Sequence, residues 1–344
     1  MYKHKKNIIL IFTSLKSGGG VTFVEKISAL KEKFNFYLFT LKDKECTVQL
    51  SKKLKIKTVS ILDLNIWFNP STLIISNSQL TALLSAIIFP WRHYYVTHGI
   101  ANGINYISKI RKIFWLIQIN FFGTKLIGCG MAEFKNIRKN LIFKNNAFQI
   151  NNGIVFDSNL HYEYKKTKKL HLCYIGRLSD QKGIDIILDA LIKRKDQLKF
   201  TIIGDTNYLS SNLLEKIQII RTKTNIKIFL KSYQEINKKV ISPFNLIIIP
   251  SRFEGLPYIL LEAINYCIPI ISSDCNGINE IMHLSSLRFK NQSANSLNFK
   301  INEFAKMSKN DVRQFSHGLK NTIRTQYNLN QFLDKYEEIF SKKY

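Results

Sequence analysis

Short apolar runs alternate with amphipathic segments along most of the 344-residue chain. The apolar runs have the length of buried strands, and the segments between them repeat their apolar residues at helical spacing. This alternation is typical of βαβ units built around a parallel sheet. In the first half it predicts strands at 7–12, 36–39, 73–76, 94–97, 126–128 and 148–150, and helices at 21–31, 79–88, 105–121 and 131–140.

A polar, lysine-rich segment, "HYEYKKTKKLH" at 161–171, interrupts the pattern and is typical of a linker. The alternation then restarts. It predicts strands at 172–175, 200–203, 226–230, 246–249 and 268–272, helices at 184–193, 213–221, 257–267 and 310–325, and a last amphipathic helix, "NQFLDKYEEIF". The fold class is therefore α/β, with two facing doubly wound domains at 1–162 and 163–326. Such sheets bind ligands at the carboxyl ends of their strands.

The chain carries 51 Lys and Arg against 24 Asp and Glu, a formal net charge of +27. This excess favours an anionic partner, which could be a nucleic acid, a membrane surface or a phosphorylated substrate. Compositional drift toward lysine would produce the same excess. The five cysteines show no zinc-ligand spacing, which favours reduced thiols and the cytoplasm. The apolar runs at 8–12 and 80–91 are too short for a signal sequence and a membrane span, respectively.

Two cations follow the first predicted strand of the second half, in "YIGRLSDQKGIDIILDAL". Arg177 and Lys182 stand beside the start of a helix, where backbone N–H groups and the helix dipole favour a phosphate. A solvated basic loop remains the alternative interpretation.

Glycines and a histidine follow two predicted strands of the first half. In "LKSGGGVTFVEKI", Gly18 and Gly19 would let the backbone approach a ligand, although neither a Walker loop nor a G-x-G-x-x-G pattern is present. An ordinary tight turn explains them equally well. In "YVTHGIANG", His98 directly follows a strand and could bond a ligand or serve a structural role.

Two acids occur in "PSRFEGLPYILLEA", unexpectedly for so basic a chain. Glu254 lies in the loop after a strand, where Gly255 gives the backbone freedom. Pro257 suits the first position of the next helix, and Glu262 lies more than a turn into it. Both carboxylates could accept hydrogen bonds from sugar or ribose hydroxyls, or act in acid–base chemistry. Alternatively, Glu262 pairs with a surface lysine and Glu254 caps the helix.

The E-x7-E spacing within "SRFEGLPYILLEA", preceded by "GRLSDQKG", resembles glycosyltransferase family 4 over nearly the whole chain. That resemblance implies a GT-B fold and a retaining enzyme that takes sugar from a nucleotide donor. It implies that Arg177 and Lys182 hold the donor diphosphate, that Glu262 binds the ribose and that Glu254 binds the transferred sugar. Neither glutamate is assigned as a nucleophile.

Further assignments follow from the same resemblance. Gly255 and Leu256 belong to the donor site, Gly18 and Gly19 line the ligand site from the first domain, and His98 contacts donor sugar or acceptor. Together with Glu254, His98 is a candidate catalytic residue. The helix at 327–344 would pack back toward the first domain, and "NNGIVFD" at 151–157 matches the family's interdomain turn.

The sequence departs from the family pattern beside the expected base pocket. Gly204 is followed by Asp205 and Thr206, without the second glycine of G-x-G, and Lys231 replaces a frequent glycine. A UDP-sugar is the expected donor, though these departures leave the base in doubt. Because no D-x-D triplet occurs, we expect no catalytic metal and no other cofactor.

The segment 105–128 mixes Lys109, Arg111 and Lys112 with aliphatic and aromatic residues. This mixture favours an interfacial membrane helix, although an ordinary half-buried helix would look similar. The resulting hypothesis is a peripheral enzyme on the inner face of the cell membrane, which adds a hexosyl or N-acetylhexosaminyl group to a lipid-linked surface glycan (lipopolysaccharide, O-antigen or capsule). The alternatives are a sugar-nucleotide epimerase of the same fold and a basic, non-enzymatic nucleic-acid binder. No nucleic-acid-binding motif is present, so nucleic acid is not an expected partner.

Overall fold

The structure is a computed structural model that describes residues 5–16, 18–106, 108–122, 124–157, 164, 167, 169–234, 236–283 and 285–342. The chain divides into two compact units. Unit 1 comprises Met1–Gly153 and Asn328–Tyr344, and unit 2 comprises Ile154–Tyr327. The predicted domain boundary between 162 and 163 lies outside the described residues, as does most of the predicted linker.

The described part of unit 1 contains a seven-stranded parallel sheet in the order β3-β2-β1-β4-β5-β6-β7. Its strands are β1 (Asn7–Phe12), β2 (Asn35–Thr40), β3 (Lys57–Thr58), β4 (Leu73–Ser76), β5 (His93–Thr97), β6 (Lys125–Gly128) and β7 (Ala147–Gln149). Its helices are α1 (Gly19–Ile27), α2 (Lys44–Leu54), α3 (Leu64–Trp67), α4 (Gln79–Ile88), α5 (Lys109–Phe121), α6 (Met131–Asn140) and, at the end of the chain, α14 (Leu329–Ser341).

Unit 2 repeats this architecture with, among its described residues, a six-stranded parallel sheet in the order β10-β9-β8-β11-β12-β13. Its strands are β8 (His171–Ile175), β9 (Lys199–Ile203), β10 (Lys227–Lys231), β11 (Leu246–Ile249), β12 (Ile270–Ser273) and β13 (Arg288–Phe289). Its helices are α7 (Ile184–Ile192), α8 (Ser211–Lys223), α9 (Lys238–Ile241), α10 (Tyr258–Asn265), α11 (Asn276–Met282), α12 (Ala294–Lys306) and α13 (Lys309–Ile323).

The central strands of both sheets are continuous apolar runs because helices cover both of their faces. Strand β11, of sequence LIII, is buried at every position, and so is Leu73–Ser76 in unit 1. In unit 1, α14 contributes Phe332 and Tyr336, which contact the ring of Phe23 edge-on. Apolar burial of this kind is the main source of stability for each unit.

Several predicted boundaries were wrong by a few residues. The helix predicted at 105–121 begins at Lys109, and the helix predicted at 257–267 begins at Tyr258 with Pro257 as its N-cap rather than its first residue. The elements that sequence patterning missed are short or polar, namely β3, β13, α2, α3, α9, α11 and α12. Within the described ranges, no helix has both the length and the apolar character of a membrane span.

Candidate functional site

The candidate site in unit 2 lies at the point where the strand order of its sheet reverses. Strands β8 and β11 are neighbours in the sheet, and the chain leaves them in opposite directions, toward β9 and toward β12. The loops that follow such a strand pair diverge and leave a crevice at the carboxyl edge of the sheet. Arg177 and Lys182 follow β8, whereas Glu254, Gly255 and Leu256 follow β11.

Lys182 and Glu254 join these two loops. The Lys182 Nζ lies 2.6 Å from Glu254 Oε1, and the exposed fractions of the two side chains are 18% and 5%. The Ser251 hydroxyl donates to the same carboxylate oxygen at 2.7 Å. Because a buried charge is stable only when it is paired and hydrogen-bonded, this arrangement keeps an ionised carboxylate at the sheet edge.

Arg177 presents its charge differently. It is exposed, and no described carboxylate forms an ion pair with its guanidinium. Its backbone is fixed by Tyr174, whose buried hydroxyl donates to the Arg177 carbonyl oxygen at 2.5 Å. Burial raises the pKa of Tyr174 far above its ordinary range, so the phenol stays a donor. The arginine is thus an anchored cation that is open to an anion from solvent.

Two glycines allow the loops to approach closely. Gly183 adopts φ +67°, and a Cβ at this position would overlap the carbonyl oxygen of Pro250. At the start of α11, a Cβ on Gly277 would overlap the carbonyl oxygens of Glu254 and Gly255. Any larger residue at either position would therefore displace the loop that carries Glu254.

Glu262 lies in the second turn of α10, directly beyond this loop, and its side chain is half-buried. Gly255 and Leu256 are buried in the segment that leads into the helix. The residues after β8 and the residues on α10 therefore belong to one edge of one sheet. The structure joins Lys182 directly to Glu254, whereas Arg177 lies in the loop after β8 and Glu262 lies on α10.

The sequence analysis gave no role to Arg252, which holds the loop after β11 in place. Its guanidinium donates two hydrogen bonds to the Asp185 carboxylate at 2.9 and 2.6 Å, and its backbone N–H donates to Gln181 O at 2.8 Å. Burial acts to raise the pKa of Asp185, but the bonds from Arg252 outweigh it, and the pKa falls below its usual range. This forked pair holds the β11 loop on the first turn of α7. The sequence did contain one signal for Arg252, because this arginine lies two residues before the candidate site residue Glu254 in a chain with few acids.

Cys275, which follows β12, is not a candidate nucleophile. Burial raises the pKa of its thiol to about 12, and the negative charge of Glu254 contributes to the shift. A thiol with so high a pKa is protonated at neutral pH and reacts poorly. No group of three or more metal-ligating side chains occurs among the described residues.

In unit 1, the order of strands reverses between β1 and β4. Thr13, directly after β1, bonds Ser78 at 2.7 Å between their hydroxyl oxygens. Gly18 adopts φ +88° as the N-cap of α1, and its carbonyl oxygen accepts from the N–H groups of Val21 and Thr22. Gly19 is the first residue of that helix. The glycine loop therefore opens α1 at the edge of the sheet where a doubly wound unit binds ligands.

His98 lies at the same edge, directly after β5. Its Nε2 lies 2.9 Å from Asn77 Oδ1, and because an amide oxygen can only accept, this contact favours the tautomer with the proton on Nε2. The imidazole also contacts the ring of Phe23 edge-on, with centroids 5.8 Å apart. These two neighbours fix the orientation of the ring.

Glu133, in the first turn of α6, was not recognised from sequence. It is fully buried, and its carboxylate accepts hydrogen bonds from the backbone N–H groups of Gly99, Ala101 and Asn102 at 3.2, 2.9 and 2.9 Å. Burial raises the pKa of Glu133, although these backbone bonds oppose the shift. An acid in a first helical turn usually stabilises its own helix, so its position gave no sign of this role.

Comparison with known proteins agrees with this geometry. Residues 157–320, just under half of the chain, match the family model described as "Glycosyl transferases group 1". An O-antigen biosynthesis glycosyltransferase, WbnH of Escherichia coli, is 26% identical over 315 residues, which cover 83% of this chain and 86% of WbnH. Alpha-D-kanosaminyltransferase of Streptomyces kanamyceticus is 30% identical over 115 residues, so this chain spans only 29% of that relative.

Among solved structures, HepE of Anabaena in complex with UDP and glucose superposes with a TM-score of 0.77, at 17% identity, over 98% of this chain and 99% of HepE. This likeness and the two parallel α/β units confirm the predicted GT-B fold. The match over 157–320 includes Arg177, Lys182, Glu254 and Glu262. The resemblance noted from the sequence is therefore confirmed at the level of group 1 glycosyl transferases for most of unit 2.

Proposed function

We propose that this protein is a retaining glycosyltransferase, of the family 4 type, that uses a nucleotide sugar, most simply a UDP-sugar. The observation that carries the proposal is the partly buried Lys182–Glu254 pair at the carboxyl edge of the unit 2 sheet, with the exposed Arg177 in the same loop as Lys182. Two cations and an ionised carboxylate at one sheet edge suit a ligand that combines a diphosphate with a polyol.

The donor is bound in two parts. Arg177 forms a forked contact with the diphosphate, and Lys182 adds a second positive charge. Glu262 accepts the ribose hydroxyls, Glu254 accepts hydroxyls of the transferred sugar, and Gly255 and Leu256 shape the adjoining backbone. The two side-chain cations neutralise the charge that develops on the leaving diphosphate, so that no catalytic metal is required. Structures of HepE with UDP-glucose support this class of donor.

Unit 1 contributes the further ligand contacts that the sequence resemblance implies. His98, whose Nε2 lies 2.9 Å from Asn77 Oδ1, contacts the donor sugar or the acceptor. Gly18 and Gly19 bring the backbone close to the ligand. The reaction then rests on orientation and charge stabilisation, and neither Glu254 nor Glu262 acts as a covalent nucleophile.

The acceptor is a growing bacterial surface glycan, such as lipopolysaccharide, O-antigen or capsule, carried on a lipid. WbnH, an O-antigen biosynthesis glycosyltransferase, aligns over most of both chains and supports this class. A hexosyl or N-acetylhexosaminyl group is the transferred unit.

A second surface of unit 1 supports an acceptor held at a membrane. Helix α5 buries Trp115 and Ile119 but exposes five apolar residues at helical spacing: Ile110, Ile113, Phe114, Ile117 and Phe121. Helix α4 packs beside it and exposes four more: Leu80, Leu84, Ile87 and Ile88. An exposed apolar stripe costs free energy in water unless it is covered.

Basic residues adjoin this apolar stripe. Lys109, Arg111 and Lys112 lie in the first turn of α5. Apolar insertion together with attraction to anionic lipid is how an interfacial helix holds a peripheral protein on a bilayer. We assign this face to the inner surface of the cell membrane.

Two other functions make different predictions. A sugar-nucleotide epimerase of the same fold would convert the donor without an acceptor. A basic nucleic-acid binder would show no preference for UDP over inorganic phosphate.

The experiment incubates the protein with a panel of UDP-, GDP- and TDP-sugars and membrane extract, and detects glycolipid by mass. We expect one donor to give a product whose mass increases by one sugar, with the donor's anomeric configuration retained by NMR. EDTA should leave the rate unchanged. A product formed without extract would identify an epimerase, and the lack of any product with all donors would contradict the proposed function.

A further inference from the structure

A short loop in unit 1 carries His98, and a buried carboxylate from another element accepts hydrogen bonds from three backbone N–H groups of that loop. Strand β5 ends at Thr97, and the next strand in the sheet, β6, leads into α6. Because β5 and β6 are paired in register, the loop after β5 and the first turn of α6 are neighbours. Glu133 lies in that turn and points its carboxylate into the loop.

The bonds to Glu133 begin directly after His98 in the chain. The Gly99 N–H, next to the histidine, donates to Oε1 of Glu133 at 3.2 Å. Ala101 donates to the same oxygen at 2.9 Å, and Asn102 donates to Oε2 at 2.9 Å. Three backbone hydrogen bonds therefore converge on a side chain that is completely shielded from water.

The environment of Glu133 is unusual for a stabilising interaction alone. Although the chain has 51 Lys and Arg, no ion pair to Glu133 occurs among the described residues. An isolated buried charge is costly, and here hydrogen bonds alone, mostly from backbone N–H groups, offset that cost. A buried carboxylate whose pKa is shifted in this way is a candidate for a role at a functional site.

The backbone of the loop requires such an acceptor. Gly99 adopts φ +103°, which turns the chain sharply after His98 and directs successive N–H groups to one side. Without an acceptor these N–H groups would be buried and unpaired. The carboxylate is the one common side chain that accepts several hydrogen bonds without presenting a donor of its own.

We propose that Glu133 is a positioning residue that acts through His98, by clamping the 97–102 loop so that the imidazole faces the substrate in one orientation. This inference rests on the proposed function for the role of His98. The clamp itself is a property of unit 1 that can be measured without any substrate.

Glu133→Gln is the informative variant. It keeps the shape of the side chain but replaces one accepting oxygen by an NH2 group, which would face backbone donors. Ile137→Val is the matched control, because Ile137 is fully buried in the same helix and the variant weakens packing without touching the loop.

The first readout is amide hydrogen exchange at Gly99, Ala101 and Asn102. In Glu133→Gln, exchange at these three amides should accelerate at least about tenfold relative to wild type, as the loss of a buried acceptor implies. Ile137→Val should change these amides no more than the rest of unit 1. Unchanged exchange in Glu133→Gln would overturn the clamp.

The second readout is the imidazole ¹⁵N spectrum of His98. Wild type should show one tautomer, protonated on Nε2, and Glu133→Gln should show a mixture while Ile137→Val stays like wild type. A single unchanged tautomer in Glu133→Gln, together with faster loop exchange, would leave Glu133 a purely structural residue and overturn its positioning role. Both readouts remain decisive if no transfer activity is found, an outcome that would count against the proposed function alone.

The third readout is the rate of sugar transfer. Glu133→Gln alone should lower kcat/KM about tenfold. When His98 is already replaced by Ala, adding Glu133→Gln should lower kcat/KM by no more than about a further twofold, because the effects of two residues that act through one another are not additive. Multiplicative losses in the double variant would show that Glu133 acts independently of His98, which contradicts the proposal.

Discussion

Lys182 and Glu254 are 72 residues apart in the chain, and the Lys182 Nζ lies 2.6 Å from Glu254 Oε1. The contact exists because β8 and β11 are neighbours in the sheet, so that their following loops meet. The lysine is partly exposed while the glutamate is nearly completely buried. The pair compensates a buried charge, and in the proposed function it also presents an ammonium group to the donor diphosphate.

The two cations should differ in their effect on stability. Arg177→Ala and Lys182→Ala each remove a charge-assisted contact to the diphosphate, so affinity for the donor should fall about ten- to a hundredfold in both. Only Lys182→Ala leaves the Glu254 carboxylate buried without its cation, which should destabilise unit 2 by about 1–3 kcal/mol. Arg177 is exposed and has no such role. Calorimetric titration with donor and thermal unfolding measure the two effects, and equal melting temperatures in the two variants would contradict this division.

The two glutamates should differ in the part of the donor that they bind. Glu254→Gln should impair transfer while affinity for bare UDP stays near the wild-type value, because its partner is the sugar. Glu262→Gln should weaken UDP itself, because its partner is the ribose. Titration of each variant with UDP and with UDP-sugar separates the two. If both variants bind UDP as tightly as wild type, these roles are wrong.

Two glycines in helices of unit 2, Gly318 and Gly277, should respond differently to substitution by alanine. Gly318 lies in α13, and no atom of its surroundings would lie within 4 Å of a methyl group added there. Gly318→Ala should therefore stabilise unit 2 by about 0.5–1 kcal/mol, the difference in helix propensity between the two residues. Gly277→Ala would push the carbonyl groups of Glu254 and Gly255 away and should weaken donor binding. Thermal unfolding and titration with UDP-sugar test both, and unaltered donor affinity in Gly277→Ala would argue against a fixed loop.

The stability of unit 1 should depend on pH through His93. This residue is completely buried, and its Nε2 lies 2.6 Å from the Ser76 hydroxyl. Burial lowers the pKa of His93 to about 3. Because the folded pKa lies below the unfolded value of about 6.5, the unfolded chain binds a proton that the folded chain does not. The stabilisation is complete above about pH 6.5 and is lost as the pH falls toward 3.

The measurement is the free energy of unfolding at pH 7 and pH 5. Wild type should lose about 2 kcal/mol more over this range than His93→Gln, since one group contributes at most about 1.36 kcal/mol per pH unit. His283→Gln, which alters an exposed histidine, should behave as wild type does. Parallel profiles for wild type and His93→Gln would show that His93 becomes protonated in the folded state.

Sequence patterning predicted the strands that form the centre of each sheet, because a strand buried on both faces must be apolar throughout. It missed β3, whose Lys57 and Thr58 are exposed and show no apolar pattern. It missed α2 and α12 because polar residues dominate them. Edge strands and surface helices are held by tertiary contacts that a local pattern does not contain.

The sequence likewise predicted some residues of the candidate site and missed others. Motif spacing predicted donor-site roles for Arg177, Lys182, Glu254 and Glu262, because their chemistry is recognisable within short segments, and these roles stay predictions. Glu133 was missed because its partners lie more than 30 residues earlier and reach it through the pairing of β5 with β6. A carboxylate that serves a neighbouring loop cannot be distinguished by sequence from one that stabilises its own helix.

The exposed face of α5 should bind anionic membranes. Substituting Lys109, Arg111 and Lys112 with Ser removes three positive charges beside the exposed apolar stripe, and each contributes roughly 1 kcal/mol near an anionic surface. The triple variant should therefore float poorly with vesicles that contain anionic lipid. Wild-type flotation should also weaken as salt rises, because the electrostatic attraction decays over about 8 Å at physiological ionic strength.

The control for this variant substitutes Lys306, Lys309 and Arg313 with Ser, which removes the same charge from exposed positions of unit 2. Since neither set contributes to the donor site, both triple variants should glycosylate a soluble acceptor at the wild-type rate. Only the α5 variant should use a vesicle-bound acceptor poorly. Equal flotation of the two triple variants would mean that binding follows the net charge of +27 rather than this helix, and the assignment of α5 to the membrane would then be abandoned.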